Sequence, residues 1–227
     1  MIKIIKNYAR NIPFLKNLVA SIKTCYQKLT FSSADYWNSR YINGGTSGAG
    51  SYEHLAEFKA DILNSFVAKK KIKSVIEFGF GDGNQLMLAT YPDYTGYDVS
   101  QKAVEICRNK FFGDAKKTFH LVSEWRGETA ELVLSLDVIY HLIEDSVFEN
   151  YMQNLFLASD RYVVIYASDT DENDDNKSIH VRHRKFTRWV ANKILEWYLI
   201  DYIPNQYPIE EYGEKGTFAN FYIYEKA

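Results

Sequence analysis

The sequence predicts an α/β domain: a doubly wound, seven-stranded, mostly parallel sheet that ends in an antiparallel C-terminal hairpin and is preceded by an N-terminal helical extension. Three observations predict it. The apolar run Val75-Ile-Glu-Phe78 passes into glycines on alternate positions, Gly79, Gly81 and Gly83, as expected of a strand that turns tightly against a ligand and then opens a helix. Short apolar runs then alternate with helix-period segments, with no internal repeat or low-complexity linker to divide the chain. The last two runs stand close together, as in an antiparallel pair closing an otherwise parallel sheet.

Taken in order, residues 1–30 carry six basic residues and no acidic one, against a net charge of −2 for the whole chain. Their apolar residues Ile12, Leu15, Val19, Ile22, Tyr26 and Leu29 alternate four- and three-residue steps, a single helical stripe, and Pro13 suits a helix start. Two readings stand for this extension: a basic amphipathic helix on an anionic membrane or a partner, or a helix covering the sheet or a dimer seam. Residues 31–69 hold an aromatic and glycine-rich segment and a helix over about Tyr52 to Lys69. Residues 70–227 form the sheet, with strands expected at Ser74 to Phe78, Tyr94 to Asp98, Thr118 to Ser123, Leu132 to Leu136, Arg161 to Ala167, Trp197 to Ile203 and Phe218 to Tyr224. Helices are expected from Gln85, from Ser100 as N-cap, and over Ser146 to Ala158.

The composition fits one ordinary globular domain: 227 residues, 46% hydrophobic and 16% aromatic, enough to bury a substantial core. Cys25 and Cys107 are too few and too scattered for a disulfide framework or a thiolate metal site, which fits a reducing compartment. No apolar run reaches the roughly 18–20 residues that span a bilayer, and no secretory cleavage pattern opens the chain. A cytoplasmic location is expected, at the inner face of a membrane if residues 1–30 make that contact. The mildly negative balance gives no general attraction to nucleic acid, and none is expected as a partner.

Glu77-x-Gly79-x-Gly81-x-Gly83 is followed by Gly96-Tyr97-Asp98, whose acidic end lies 21 residues beyond Glu77, the spacing at which a second strand offers a carboxylate to ribose hydroxyls. Together these motifs resemble the cofactor half of class I S-adenosylmethionine-dependent methyltransferases, over about residues 70–227. The resemblance implies a Rossmann-like sheet and S-adenosylmethionine as cofactor, leaving as S-adenosylhomocysteine. Glu77, Gly79, Gly81, Gly83, Asp98 and Val99 would hold it. The next strand end would supply the adenine environment through Ser123, Glu124 and Trp125, although Trp125 also reads as an ordinary packed aromatic.

The run Leu134-Ser-Leu-Asp-Val-Ile-Tyr-His-Leu142 resembles the fourth motif of small-molecule methyltransferases. There Asp137 would lie near the methionine portion, with Tyr140 and His141 beside the acceptor. An alcohol acceptor needs its proton removed, and His141, whose unperturbed pKa lies near neutrality, is the first choice for the base. The Asn-Pro-Pro-Tyr motif of amide and base-nitrogen methylation is absent, which favours oxygen. Asp137 with Asp169 and Asp171 could instead hold a hard cation, as in catechol-type O-methyltransferases. The acidic stretch Asp169 to Asp175 reads more simply as a solvated loop, and no metal is expected.

Two segments read as acceptor-site material. His180-Val-Arg-His-Arg-Lys-Phe186 concentrates basic groups, and Arg182 and Arg184, with His180 or His183, could clamp a phosphate or carboxylate; the same block could merely neutralise the acidic stretch before it. Tyr36-Trp37 through Gly50-Ser51, including Arg40 and Tyr41, looks like a lid in which aromatics exclude water and glycines permit closure. With the Asp137 run these blocks resemble small bacterial methyltransferases of surface-polysaccharide (capsule or O-antigen) synthesis. That resemblance implies an O-methyltransferase acting on a small polar acceptor, a sugar or phosphate-bearing precursor. The alternatives are a cofactor-binding, membrane-tethered accessory protein without methyl transfer, and a metal-dependent catechol-type enzyme.

Overall fold

The computed structural model describes residues 31–173 and 178–227; the extension over residues 1–30, with both of its readings, lies outside them. Seven strands appear among the described residues: β1 Ser74–Phe78, β2 Asp93–Asp98, β3 Lys117–Leu121, β4 Ala130–Leu136, β5 Ser159–Ala167, β6 Trp197–Ile203 and β7 Asn220–Lys226. They form one sheet in the order β3-β2-β1-β4-β5-β7-β6. Pairs from β3 to β5 are parallel, and β7 runs antiparallel to both β5 and β6. The chain reverses direction between β1 and β4, so the crevice at their carboxyl ends is the topological switch point where ligands bind in such sheets.

The helices are α1 Ser33–Ile42, α2 Glu53–Lys70, α3 Gln101–Lys110, α4 Asp145–Leu157, α5 Phe186–Lys193 and α6 Ile209–Tyr212. Period-two alternation divides the strand residues between two cores. Val75, Tyr94, Leu132, Leu134 and Val164 face α2 and α3, while Ile76, Phe78, Val133, Val163 and Ile165 face α4 and α5. Ser100 caps α3 as expected, its hydroxyl accepting from the Ala103 amide. At α5, which no sequence signal indicated, the Asp169 carboxylate receives both the amide and the hydroxyl of Thr187, satisfying first-turn donors.

Three expectations are corrected. The helix expected from Gln85 is a single 3₁₀ turn, Gln85–Leu88, ended by the extended residues that lead through Pro92 to β2. The third strand stops at Leu121, and Val122–Glu124 turns away as a 3₁₀ segment because the Glu124 carboxylate accepts the Leu121 amide. Gly83, expected at the cofactor, instead makes room for α3: its φ is +71°, and a Cβ there would lie 2.7 Å from Cys107 Sγ.

Gly83→Ala therefore combines left-handed strain with a clash against α3. It is expected to lower unfolding free energy by about 1–3 kcal/mol in a denaturant titration while leaving ligand affinity of the folded fraction unchanged.

Candidate active site

A cavity of about 310 Å³ opens at the carboxyl ends of β1, β2 and β4. The glycine turn forms its floor. Gly79 takes φ +87°, and a Cβ there would come within 2.6 Å of Val138 Cγ2, so only glycine lets the main chain pass between the strand end and the β4 loop. Gly81 takes φ +61° and donates its amide to Asp98 Oδ2 at 3.0 Å; the other Asp98 oxygen accepts the Ser100 amide at 2.8 Å. Burial pushes the Asp98 carboxyl up to about 6 although amide hydrogen bonds pull it down. A carboxylate has about four acceptor sites, so these amides leave capacity for ligand hydroxyls. Glu77 is buried beside it, receives the Tyr94 hydroxyl at 2.7 Å, and is raised to about 7 by desolvation.

Asp137 ends β4 in a left-handed conformation, φ +59°. Lys59 of α2, 1% exposed, reaches its Oδ2 at 2.6 Å, and the Tyr140 hydroxyl donates to Oδ1 at 2.8 Å. Both carboxylate oxygens are thereby engaged, and the backbone strain is held by two side chains. Tyr140 does not line the cavity, and burial beside Asp137 lifts its phenol well above the usual range; it is a positioning residue.

His141 lines the cavity between Trp37 at 4.8 Å and His180 at 5.4 Å between ring centroids. Its Nδ1 lies 2.8 Å from the His180 carbonyl. A carbonyl only accepts, so Nδ1 carries the proton and Nε2 keeps its lone pair. Burial lowers this imidazole to about 4, outweighing the His180 carbonyl and Asp137. The ring is thus neutral through the physiological range, below the near-neutral value expected of an unperturbed histidine.

The aromatic and glycine-rich segment covers the site as α1 and a strap over residues 43–52. Trp37, Tyr41, Ser47 and Ser51 line the cavity. Asp82, which carried no signal in the sequence, ties the strap to the glycine turn: its Oδ2 accepts the Ser47 amide at 2.9 Å and the Tyr52 hydroxyl at 2.7 Å, while its own amide donates to Ser47 Oγ at 2.8 Å. Burial raises this carboxyl, but these bonds and the Asn84 amide outweigh it and hold it below the usual range. A Cβ at Gly50 would lie 2.8 Å from Asp137 Oδ2, so the strap presses on the β4 end as well.

Of the remaining candidates, Val99 lines the cavity, whereas Ser123, Glu124 and Trp125 do not. The Trp125 indole donates to the Glu128 carbonyl and packs edge-on against Phe78, and the Ser123 carbonyl accepts from Arg126. Val122 stands at the wall in their place. Tyr36 stacks on His180 at 4.7 Å, and Arg40 donates to the Thr46 carbonyl. His183 meets the Ser168 hydroxyl at 2.6 Å.

Arg182 and Arg184 do converge, but on the protein rather than on a ligand. Both guanidinium groups donate to the Ile143 carbonyl and pair with Asp145, and Arg184 also donates to the Leu142 carbonyl. In this structure the two residues brace the loop before α4. The rival oxygen-ligand set is also dispersed. Asp137 is on Lys59, Asp169 is on Thr187, and Asp171 accepts the Lys185 amide and Arg188. Among the described residues no group of three or more His, Cys, Asp or Glu side chains is arranged to hold a metal ion, and no helix is long and apolar enough to cross a membrane.

Neither a family model nor a curated protein matches this chain. Solved structures do. The methyltransferase domain of bacterial CtHen1-C is 16% identical with a TM-score of 0.62, over 77% of this chain and 100% of that one. Magnesium protoporphyrin IX methyltransferase (ChlM) from Synechocystis PCC 6803, with bound SAM, is 14% identical with a TM-score of 0.63, over 87% and 99%. The N-methyltransferase NodS from Bradyrhizobium japonicum WM9, in complex with S-adenosyl-L-homocysteine, is 13% identical with a TM-score of 0.61, over 76% and 87%. The fold is the Rossmann-like methyltransferase fold.

Replacing Lys59 by Met strands the Asp137 charge in a largely buried site and is expected to cost about 3–5 kcal/mol. Adding Asp137→Asn should recover part of that loss. Denaturant titrations of both single variants and the double variant measure the coupling, and strictly additive losses would show that the pair does not act as a unit.

Proposed function

We propose that this chain is an S-adenosylmethionine-dependent O-methyltransferase acting on a small polar acceptor, a sugar hydroxyl of a surface-polysaccharide precursor. The observation that carries the reading is one cavity at the switch point of a methyltransferase-type sheet, lined by the Gly79–Gly81 main chain, Glu77, Asp98 and Asp137. The residues fit the cofactor. Asp98 has acceptor sites left for ribose hydroxyls, the glycine turn admits close approach of a ligand, and three carboxyls against the single ammonium of Lys59 suit a cationic donor.

S-adenosylmethionine supplies an electrophilic methyl group on a sulfonium. This chain's residues do the rest. Asp137, held by Lys59 and Tyr140, fixes the electrostatics of the β4 end; Trp37, Tyr41 and the strap exclude water. His141 Nε2, the unprotonated nitrogen, accepts the proton of the acceptor hydroxyl. What lines that end of the cavity supports the acceptor class: the rings of Trp37 and Tyr41 beside a neutral imidazole. With Arg182 and Arg184 engaged elsewhere, a neutral hydroxyl-bearing ring fits better than a phosphate at the reacting position. NodS is by name an N-methyltransferase, so the choice of oxygen rests on His141 and on the absence of the Asn-Pro-Pro-Tyr motif.

Two outcomes test this reading. Transfer of labelled methyl from S-adenosylmethionine to nucleotide sugars should fall by about 10²–10⁴-fold in His141→Ala, with S-adenosylhomocysteine affinity within a few-fold of wild type; unchanged turnover would remove His141 as the base. Ligand affinity should also depend on pH. Ribose hydroxyls donate to ionised Asp98, so binding lowers its pKa. Affinity is therefore full only well above pH 7, where Glu77 and Asp98 are both ionised, and weakens as pH falls through about 7 for Glu77 and then about 6 for Asp98, by up to tenfold per unit for each group. Calorimetry across pH 5 to 8 measures this, and Asp98→Asn should flatten the profile.

A further inference from the structure

One wall of the cavity is not used by the reading above. The crossover from β3 to β4 spans only residues 122–129 and contains a single 3₁₀ turn, Val122–Glu124. Helix α4 buries Phe148, Met152, Leu155 and Phe156 against the sheet. Its neighbouring face, Val147, Asn150, Tyr151 and Asn154, repeats at i, i+3, i+4 and i+7 and lines the cavity. The Tyr151 hydroxyl is committed to the Phe78 carbonyl and Ser135. The Asn150 and Asn154 carboxamides are not: neither has a hydrogen-bond partner among the described residues, and they lie one helical turn apart on the same wall.

We infer that Asn150 and Asn154 read the edge of the cofactor's adenine, so that base recognition resides on α4 rather than at the end of β3. This rests on the proposed cofactor. The charged side chains of the cavity, Glu77, Asp98, Asp137 and Lys59, belong to the strand ends and α2, where ribose and the amino-acid portion would lie. Next along the chain from Asp98 and Leu121, the wall is apolar, formed by Val99 and Val122, which suits the faces of a base. The two carboxamides are the uncommitted polar side chains that α4 adds to this wall. A carboxamide is a donor and an acceptor side by side, which matches the N6 amine and N7 of adenine, whereas hypoxanthine presents two acceptors, O6 and N7, on that edge and can satisfy only one of the pair. The side chains expected from sequence for this role are occupied: Glu124 holds the Leu121 amide and the Trp125 indole holds the Glu128 carbonyl.

The test compares binding of S-adenosylhomocysteine with that of its deaminated analogue, S-inosylhomocysteine, by calorimetry on the full chain. Wild type should prefer the adenine ligand by about tenfold or more. Asn150→Ala and Asn154→Ala together should remove most of that preference while leaving the unfolding midpoint of the unliganded protein unchanged, since neither side chain has an internal partner to lose. Preference retained in the double variant would overturn the assignment. So would a wild type that binds both ligands equally, or variants that weaken only the acceptor's KM, which would give this wall to the acceptor. Absence of any S-adenosylhomocysteine binding by wild type would instead remove the underlying reading, and the two failures are distinguishable in one titration series.

Discussion

The arrangement of the site depends on the buried pair between Lys59 and Asp137. A lysine 1% exposed on α2 meets a carboxylate at the end of β4 at 2.6 Å, and removal of either charge would leave the other stranded in a medium that solvates it poorly. That pair, with the Tyr140 hydroxyl, stabilises Asp137 at a φ of +59°. The left-handed turn in its wake carries Val138 against Gly79 and starts the short helical turn that brings His141 to the wall. The strap closes over the same carboxylate at Gly50. One ion pair thus connects the helix before β1, the end of β4, the glycine turn and the cover of the cavity.

The charge inside the cavity follows from this constraint. Lys59 is matched by Asp137, which leaves Glu77 and Asp98 without an ion pair of their own among the described residues, each raised toward neutrality by burial and each poised to become a better anion when a ligand supplies donors or positive charge. His141 is treated in the opposite sense: desolvation keeps it neutral, and the His180 carbonyl fixes which nitrogen bears the proton. Two acids waiting for donors and one imidazole held unprotonated are the two halves expected of a site that binds a polyhydroxylated, cationic molecule and takes a proton from its partner.

The parts of this structure legible in the sequence were those with local physical causes. Period-two runs marked the strands, and the alternate glycines with Asp98 marked the floor of the cavity, because a tight turn and a strand-end carboxylate are properties of a few adjacent residues. The parts that were not legible depend on distant partners. Arg182 and Arg184 looked like a clamp because Asp145 and the Leu142–Ile143 carbonyls that satisfy them lie about forty positions away. Ser123 and Trp125 left the wall because Glu124 folded back onto Leu121. Asp82 sat at an unremarked position of the glycine turn, yet it holds the strap through Ser47 and Tyr52. Lys59 did leave a trace: it falls between Leu55 and Leu63 on the buried stripe of α2, where a lysine without a counter-charge is not tolerated.

The central claim, that the cavity at the ends of β1, β2 and β4 receives S-adenosylmethionine, is tested most directly by calorimetric titration of the full chain with S-adenosylhomocysteine, alongside Asp98→Ala. Saturable one-to-one binding that Asp98→Ala weakens by at least tenfold is the predicted result. No binding by the wild type at millimolar ligand, or the same affinity in both proteins, would contradict it.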